Sequence, residues 1–393
     1  MSVPNTQPIV DWLIDGARSG ATAAAVLAQL CGRLTDAGIP LWRVAVFVQT
    51  LHPNVMGRRL LWRPGADVEI SEASFDLRDA ETYRGSPVVR VYETAQPFRR
   101  HLADPSCPRD FETVEELRAE GATDYVIWPL IFSNGEVHAV SCTTRQEGGF
   151  TEAQIAGLDA IMKPLARVAE SHALRRTAVN LLDTYVGIHA GERILAGKIR
   201  RGYTERIRAV IWLSDMRGFT ALSDRIPPAE LVDLLNRYFD CQVPAIVEHG
   251  GEVLKFIGDG LLAIFPVADD ESDAEWACND VLVAARKARS NVAALNAAVG
   301  DQARELRFGL ALHVGEVLYG NIGGGNRLDF TCIGPAVNLA ARLERLTAPL
   351  RRTVLASDRF ARHCQPPLVS LGEYTLPGFG AAQAAYGLAD EGE

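Results

Sequence analysis

The segment Ala209–Thr220, AVIWLSDMRGFT, opens with apolar and β-branched residues, reaches a carboxylate at Asp215 and turns at Gly218. This reads as a buried strand ending at Asp215 and a tight turn into a helix. A carboxylate at a strand end, followed by backbone N–H groups opening a helix, suits a metal ion and phosphate oxygens. Taken alone, the same Asp serves equally as a helix N-cap. Further on, a helical pattern over Pro228–His249 leads to Gly251–Pro266, GEVLKFIGDGLLAIFP. Here Glu252–Ile257 and Leu261–Phe265 read as two strands joined by Gly258-Asp259-Gly260, a hairpin with Asp259 at its tip. Gly-Asp-Gly is also ordinary turn chemistry. If the strand ends adjoin in one sheet, Asp259 lies beside Asp215. Two carboxylates at one site repel, and a pair of Mg²⁺ ions is a natural reason to tolerate them.

A third segment, Glu305–Leu346, reads as two strands around the Gly323-Gly324-Gly325 turn and then a helix from about Pro335. Within that helix Asn338 and Arg342 are four residues apart and share a face. An amide and a guanidinium side by side suit a phosphoryl group that gains charge in a transition state.

In this order the motifs SDMRGFT, KFIGDG, HVGEVLYGNIG and CIGPAVNLAARLE resemble the class III adenylate and guanylate cyclase catalytic domain, over about Arg208–Leu388. The resemblance implies an antiparallel-rich, ferredoxin-like α/β sandwich that dimerises head to tail, with each active site built from both copies. It implies that Asp215 and Asp259, helped by the Met216 carbonyl, hold two Mg²⁺ ions, for which Mn²⁺ substitutes. Asn338 matches the residue that orients the ribose and Arg342 the one that stabilises the transition state; Phe219 and Thr220 fall among substrate-binding positions. Lys255 and Thr331 match the two base-selecting positions. A Lys donates to adenine N1, whereas guanine-selecting members resemble one another in carrying Glu there, so ATP is the expected substrate and cyclic AMP the product. Thr331 stands where Asp is more familiar and matches a Thr-bearing subgroup, its hydroxyl still able to accept from the adenine amino group. Cys332 lies one position past the guanine-selecting Cys of the other branch.

Where the family often carries a triphosphate-binding Lys, this chain has Leu376-Pro377-Gly378. Proline offers no donor. Either another cation, Arg217 or Arg345, serves the γ-phosphate, or ATP binds more weakly. The Gly-Gly-acidic-acidic-Phe hairpin of diguanylate cyclases is absent, replaced by Ile257-Gly258-Asp259-Gly260. The rival reading is a degenerate, non-catalytic cyclase homology module that binds nucleotide and signals by contact.

Upstream, Ile9 to about Ala37 reads as helix with a break near Gly20. Leu41–Thr50, Arg59–Trp62 and a hairpin of Tyr125–Phe132 with Glu136–Thr143 read as strands, and a helix runs from Phe150 toward Arg176. This α+β layout resembles GAF small-molecule sensor domains, and it serves equally for a dimerisation module that binds nothing. From Ala178 to Arg208 the pattern is helical and charged, either a signalling linker or a solvated connecting helix. The expected domains are thus 1–175 GAF-like and regulatory, with an unidentified small-molecule effector, 176–205 a helical linker, and 206–390 catalytic.

Length and composition agree with two domains: 393 residues, 48% hydrophobic, exceed what one core usually serves. A formal charge of −9 argues against the basic footprint of a nucleic-acid binder. Seven scattered cysteines without a CxxC pair suit free thiols in a reducing compartment. No signal peptide or membrane span is read, so a cytoplasmic location is expected.

Overall fold

The computed structural model describes residues 4–268, 271–299, 305–325 and 327–391. The chain divides into two compact units, Met1–Leu181 and Leu182–Glu393.

The first unit is built on a six-stranded antiparallel sheet. Helices α1 (Gln7–Ile14) and α2 (Ala23–Asp36) lead in. Thr22 caps α2, its side chain accepting from the Ala25 N–H at 3.2 Å, and Val26, Leu27, Leu30 and Leu34 form its buried stripe. Strands β1 (Arg43–Gln49), β2 (Gly57–Trp62) and β3 (Glu69–Ala73) follow. A 3₁₀ turn (Phe75–Asp79), α3 (Glu81–Arg84), α4 (Pro87–Thr94), β4 (Phe98–Arg100) and α5 (Glu112–Ala119) then cross to the hairpin β5 (Asp124–Ile131) and β6 (Val137–Thr144). The strand order is β3-β2-β1-β6-β5-β4. Because β-strand side chains alternate, the sheet has two distinct faces. Val44, Val46, Trp128 and Val140 lie in one core with residues of α1, α2 and α6 (Glu152–Val186). Tyr125, Ile127 and Ala139 lie in the other with residues of α4 and α5.

Asp124 is fully buried and fully compensated: Arg99 Nη2 bonds its Oδ2 at 2.6 Å and the Phe150 N–H donates at 2.9 Å. This pairing holds the Arg99 guanidinium above its ordinary pKa. The two edge strands, β3 and β4, lie between Arg59–Trp62 and Tyr125–Phe132, where the sequence pattern predicts no strand. Glu69, Ser71 and Glu72 give β3 no apolar alternation to read, and β4 is three residues long.

In the second unit the segment expected to be helical through 205 departs from that reading. Helix α6 ends at Val186, Gly187 turns with φ +89°, and α7 (Ile188–Leu195) is one short helix. Gly197 and Gly202, both at positive φ, turn the chain, and strand β7 (Thr204–Met216) has already begun where helix was expected. The charges that suggested a solvated helix are used locally. Arg193 and Lys198 both bond Glu205, at 2.5 and 3.0 Å, while the alternation Ile207, Ala209, Ile211 belongs to the strand.

After β7 come α8 (Phe219–Ser223), α9 (Pro228–Glu248), β8 (Glu252–Ile257), β9 (Gly260–Val267), α10 (Glu271–Val299), β10 (Phe308–Gly324), β11 (Arg327–Ile333), α11 (Pro335–Leu346), β12 (Val354–Ser357), α12 (Asp358–Ala361), β13 (Val369–Tyr374) and β14 (Gln383–Gly387). The eight-stranded sheet runs β13-β14-β12-β10-β7-β9-β8, with β11 paired to β10. All pairings are antiparallel except β10 with β12. Trp212 and Phe265 pack with α9 and α10 on one face; Ile211, Ile264 and Ala311 pack with α7 and α11 on the other. The seven cysteines are buried free thiols. Among the described residues no helix is long and apolar enough to cross a membrane.

Candidate active site

Strand β7 delivers Asp215 to an end of the sheet, opposite Gly309 of β10. On its other side β7 pairs with β9 as far as Ser214 with Leu261, which brings the β8–β9 hairpin tip alongside. Gly258 takes φ +63°, a conformation that other residues adopt with strain. Gly260 is needed for closeness: a Cβ there would stand 2.6 Å from the Ser214 carbonyl oxygen and 2.8 Å from Asp215 Oδ1. Both glycines of the Gly-Asp-Gly tip thus serve to lay Asp259 against Asp215.

The electrostatics match this proximity. Burial, then the Asp259 charge, pushes the Asp215 carboxyl above the usual carboxylate range, and burial does the same to Asp259. Neither forms an ion pair among the described residues. Beneath them Ser214 donates to Gln242 Oε1 at 2.8 Å, and Tyr238 is completely buried. Two adjacent carboxylates without a counter-cation fit a Mg²⁺ site whose remaining ligands are waters and phosphate oxygens. No group of three or more His, Cys, Asp or Glu side chains is arranged to hold a metal among the described residues.

The turn after Met216 opens α8, a single short helix on which Phe219 is half-buried and Thr220 exposed. Arg217 is committed within the chain: its Nη2 donates to the Arg352 carbonyl at 2.7 Å. Pro377 is exposed, and Arg345 stands exposed in the last turn of α11.

Helix α11 buries Ala336, Ala340 and Leu343 and leaves Asn338 exposed and Arg342 half-buried, without a side-chain partner among the described residues. Glu344 of the same helix is the residue that looks toward Asp215. A Cβ on Gly309 would meet its Oε1 at 2.6 Å, and burial, then the Asp215 charge, raises its pKa. At about 100° per residue, Glu344 lies roughly 200° around the helix from Arg342. Within one chain the Asn338/Arg342 face therefore points away from the carboxylate pair.

Lys255 on β8 is half-buried, with Nζ 3.6 Å from Asp329 Oδ2. Thr331, two residues along β11 and so on the same face as Asp329, is 4% exposed with its hydroxyl unpartnered. Cys332 points the other way, into the core beside Tyr319, and burial pushes its thiol up to about 11.

Residues 202–382 match the family model described as adenylate and guanylate cyclase catalytic domain. The matched stretch lies within the C-terminal unit. The chain is 31% identical over 169 residues to an adenylate cyclase of Anabaena cylindrica, covering 43% of this chain and 33% of that protein. It is 32% identical over 168 residues to adenylate cyclase 1 of Rhizobium meliloti, covering 42% of this chain and 24% of that one. The chain thus spans a third or less of the length of these relatives. Among solved structures, the adenylyl cyclase CyaB from P. aeruginosa aligns over 48% of this chain and 96% of its own, at 26% identity and a TM-score of 0.41.

Two acidic residues of the C-terminal unit were not singled out from the sequence. Asp329 gives no motif signal, and its ion pair with Lys255 depends on how β11 folds back past β8. Glu344 sits inside the quoted AARLE run, but only the register of β7 with β10 reveals that it approaches Asp215.

Proposed function

We propose that this chain is an adenylate cyclase, converting ATP to 3′,5′-cyclic AMP and pyrophosphate in a head-to-tail homodimer under control of its N-terminal unit. The observation that carries the reading is the carboxylate pair Asp215/Asp259, pressed together by Gly260 and left without a counter-cation. Asp215, Asp259 and the Met216 carbonyl would hold the metal ions. When bound, two Mg²⁺ or Mn²⁺ ions supply Lewis-acid activation of the ribose 3′-oxygen and charge neutralisation for the departing pyrophosphate.

The chain's own residues do the remaining work. Asn338 orients the ribose so that the 3′-oxygen lies in line with the α-phosphorus. As the 3′-O–P bond forms and the bond to the pyrophosphate oxygen breaks, the free guanidinium of Arg342 meets the charge growing on the α-phosphoryl oxygens. The 3′-hydroxyl proton leaves to solvent. Lys255 donates to adenine N1, with Thr331 and Asp329 on the strand beside it. Lys255, together with the relatives named adenylate cyclases, favours ATP over GTP.

Direction supports the dimer. Asn338 and Arg342 look away from the carboxylates of their own chain, so a complete site takes the acid pair from one copy and the α11 face from another. The N-terminal unit is proposed to be GAF-like: its strand order, with helices on both faces, suits a small sensor domain acting through the α6–α7 segment on dimer alignment. The full chain assayed with ATP and with GTP, in Mg²⁺ and in Mn²⁺, should form cyclic AMP, and Asp259→Ala should not. No product from a folded dimer under any of the four conditions would favour the non-catalytic module.

A further inference from the structure

The sheet face of the N-terminal unit opposite α1 and α2 holds a charge that nothing in the chain neutralises. Arg43, in the central strand β1, is only 7% exposed and makes no hydrogen bond or ion pair among the described residues. Burial lowers its pKa first of all, and its charged surroundings include Arg59 and Arg63 as well as Glu120. That last carboxylate is held by Arg63 at 3.6 Å. Register places Arg43 opposite Thr143 and, one pair along, Ala45 opposite Ser141, so both hydroxyls share the face with the guanidinium. Ser141 and Thr143 are 1% and 0% exposed, and neither hydroxyl oxygen has a partner at full hydrogen-bonding geometry, the Tyr125 phenol being the polar neighbour of Ser141. Across β1, Phe47 opposes Arg59, whose Nε is buried and likewise unpartnered.

Arg43, Ser141, Phe47 and Arg59 line a cavity of about 410 Å³. Three arginines line it, Arg43, Arg58 and Arg59, against a single carboxylate, Glu72, which Arg58 already engages. Its other wall is apolar, with Phe47, Met56 and Val88. A buried polar group without a partner is rare in a native fold, and here one guanidinium and two hydroxyls are orphaned on the same face. Unlike Asp124 in the same sheet, they have no internal solution. A guanidinium fork with flanking hydroxyl donors is the complement of a planar or tetrahedral oxyanion. The cavity is of the size that takes a small organic molecule.

We propose that this cavity binds a small organic anion, its carboxylate or phosphate on Arg43 and Ser141 and its apolar body against Phe47, Met56 and Val88. This rests on the sensor reading of the N-terminal unit and names the chemical class of its ligand. Binding is measured by melting temperature, so its failure is separate from any failure of the cyclase reading.

The test uses the full chain in chloride at fixed ionic strength, titrated with benzoate, hexanoate and phenyl phosphate, and with benzamide as the uncharged match to benzoate. The expected result is a saturable rise in melting temperature with at least one anion and none with benzamide. The carboxylate and phosphate arms decide which oxyanion is preferred. Arg43→Met should abolish the rise while making the unliganded chain more stable, because an uncompensated buried charge is removed. Ser141→Ala should fold normally and weaken binding about tenfold, the loss of one charge-assisted hydrogen bond. No saturable rise with any anion, an equal rise with benzamide, or an Arg43→Met chain that is less stable yet still responds would each overturn the proposal.

Discussion

Each unit of this molecule gathers like charges without neutralising them, and the two do so in opposite ways. In the C-terminal unit the carboxylates Asp215 and Asp259 sit at strand ends, within reach of solvent, and burial with mutual repulsion raises their pKa values. In the N-terminal unit the guanidinium of Arg43 sits in the middle of a central strand, 7% exposed, among unpartnered hydroxyls. An open acid pair suits a hydrated cation that arrives with its own water and phosphate ligands. An enclosed guanidinium suits an anion that must shed water and fit a wall. Asp124 supplies the contrast for both: deeper than any of them, it has every oxygen answered by Arg99 and the Phe150 N–H. Depth of burial therefore does not mark a binding group; absence of a partner does.

The largest effect should come from the acid pair. Asp259→Ala is expected to lower turnover by about a thousandfold or more, and Arg342→Ala by about a hundred- to a thousandfold with KM little changed, because the guanidinium acts on charge that appears only in the transition state. If each site joins the carboxylates of one copy to α11 of another, mixing the two inactive variants in equal amounts should restore about a quarter of the wild-type rate, since half of randomly paired dimers hold one intact site of two. Mixtures that stay dead would mean that the site lies within one chain, against the direction of α11.

Next comes the compensated carboxylate. Asp124→Ala leaves Arg99 at 27% side-chain exposure with Glu152 and the Phe150 carbonyl, and removes an acceptor from the Phe150 N–H. The cost should be about 3 kcal/mol in urea unfolding. The sign is opposite to that expected for Arg43→Met in the same sheet. Destabilisation by both would erase the distinction between answered and orphaned charges.

The two regions also differ in how much of them could be read beforehand. The elements of the C-terminal unit that carry its candidate site were legible because Gly258, Asp259 and Gly260 must occupy fixed positions on a turn, and because Asn338 and Arg342 share a face by simple helix geometry. What stayed hidden there depends on pairing between distant strands: Asp329 beside Lys255, and Glu344 under Asp215. The reading of helix through 205 failed because Glu192, Arg193, Lys198, Arg200 and Arg201 interrupt Ile194, Leu195 and Ile199 as a solvated helix face would, whereas Gly197 and Gly202 turn the chain into β7. The Arg43 site was invisible for a related reason. RVAVFVQ reads as an ordinary strand, and the hydroxyls on its face, Ser141 and Thr143, belong to β6 and are brought alongside only by strand pairing.

A buried base tests a third way of handling charge. His313 is 3% exposed, its Nδ1 lies 2.7 Å from Ser357 Oγ, and burial lowers its pKa to about 4. A histidine with a depressed folded value is neutral in the native state where the unfolded chain is already protonated. Stability is therefore lost as pH falls from the ordinary range near 6.5 toward about 4. The loss should be about 3 kcal/mol, and His313→Gln should flatten that part of the urea-midpoint profile. An unchanged slope would show that His313 is not held neutral.

Lys255→Ala removes the donor assigned to adenine N1. The expected loss is about ten- to thirtyfold in kcat/KM for ATP, with the Asp329 carboxylate left without its cation. A GTP rate that stayed level while ATP fell would tie the residue to base choice. An equal fall for both would assign Lys255 to the fold of the β8–β11 contact instead.

The smallest effect concerns the acid pair before any metal arrives. A carboxylate whose folded pKa is raised makes the native state bind protons more readily than the unfolded chain, so it costs stability once pH exceeds both values. Asp259→Asn keeps the shape and removes one of the two charges. The metal-free C-terminal unit should then melt about 1–3 °C higher at neutral pH, a modest gain because solvent screens groups this accessible. Near pH 3, where both carboxyls are protonated in either state, the variant and the wild type should converge. Adding Mg²⁺ should reverse the order at neutral pH, because the ion stabilises only the chain that retains both ligands. A variant that melts lower without metal would mean that the pair is held by contacts within the fold, and the parallel with Arg43 would fail at the residue where it begins.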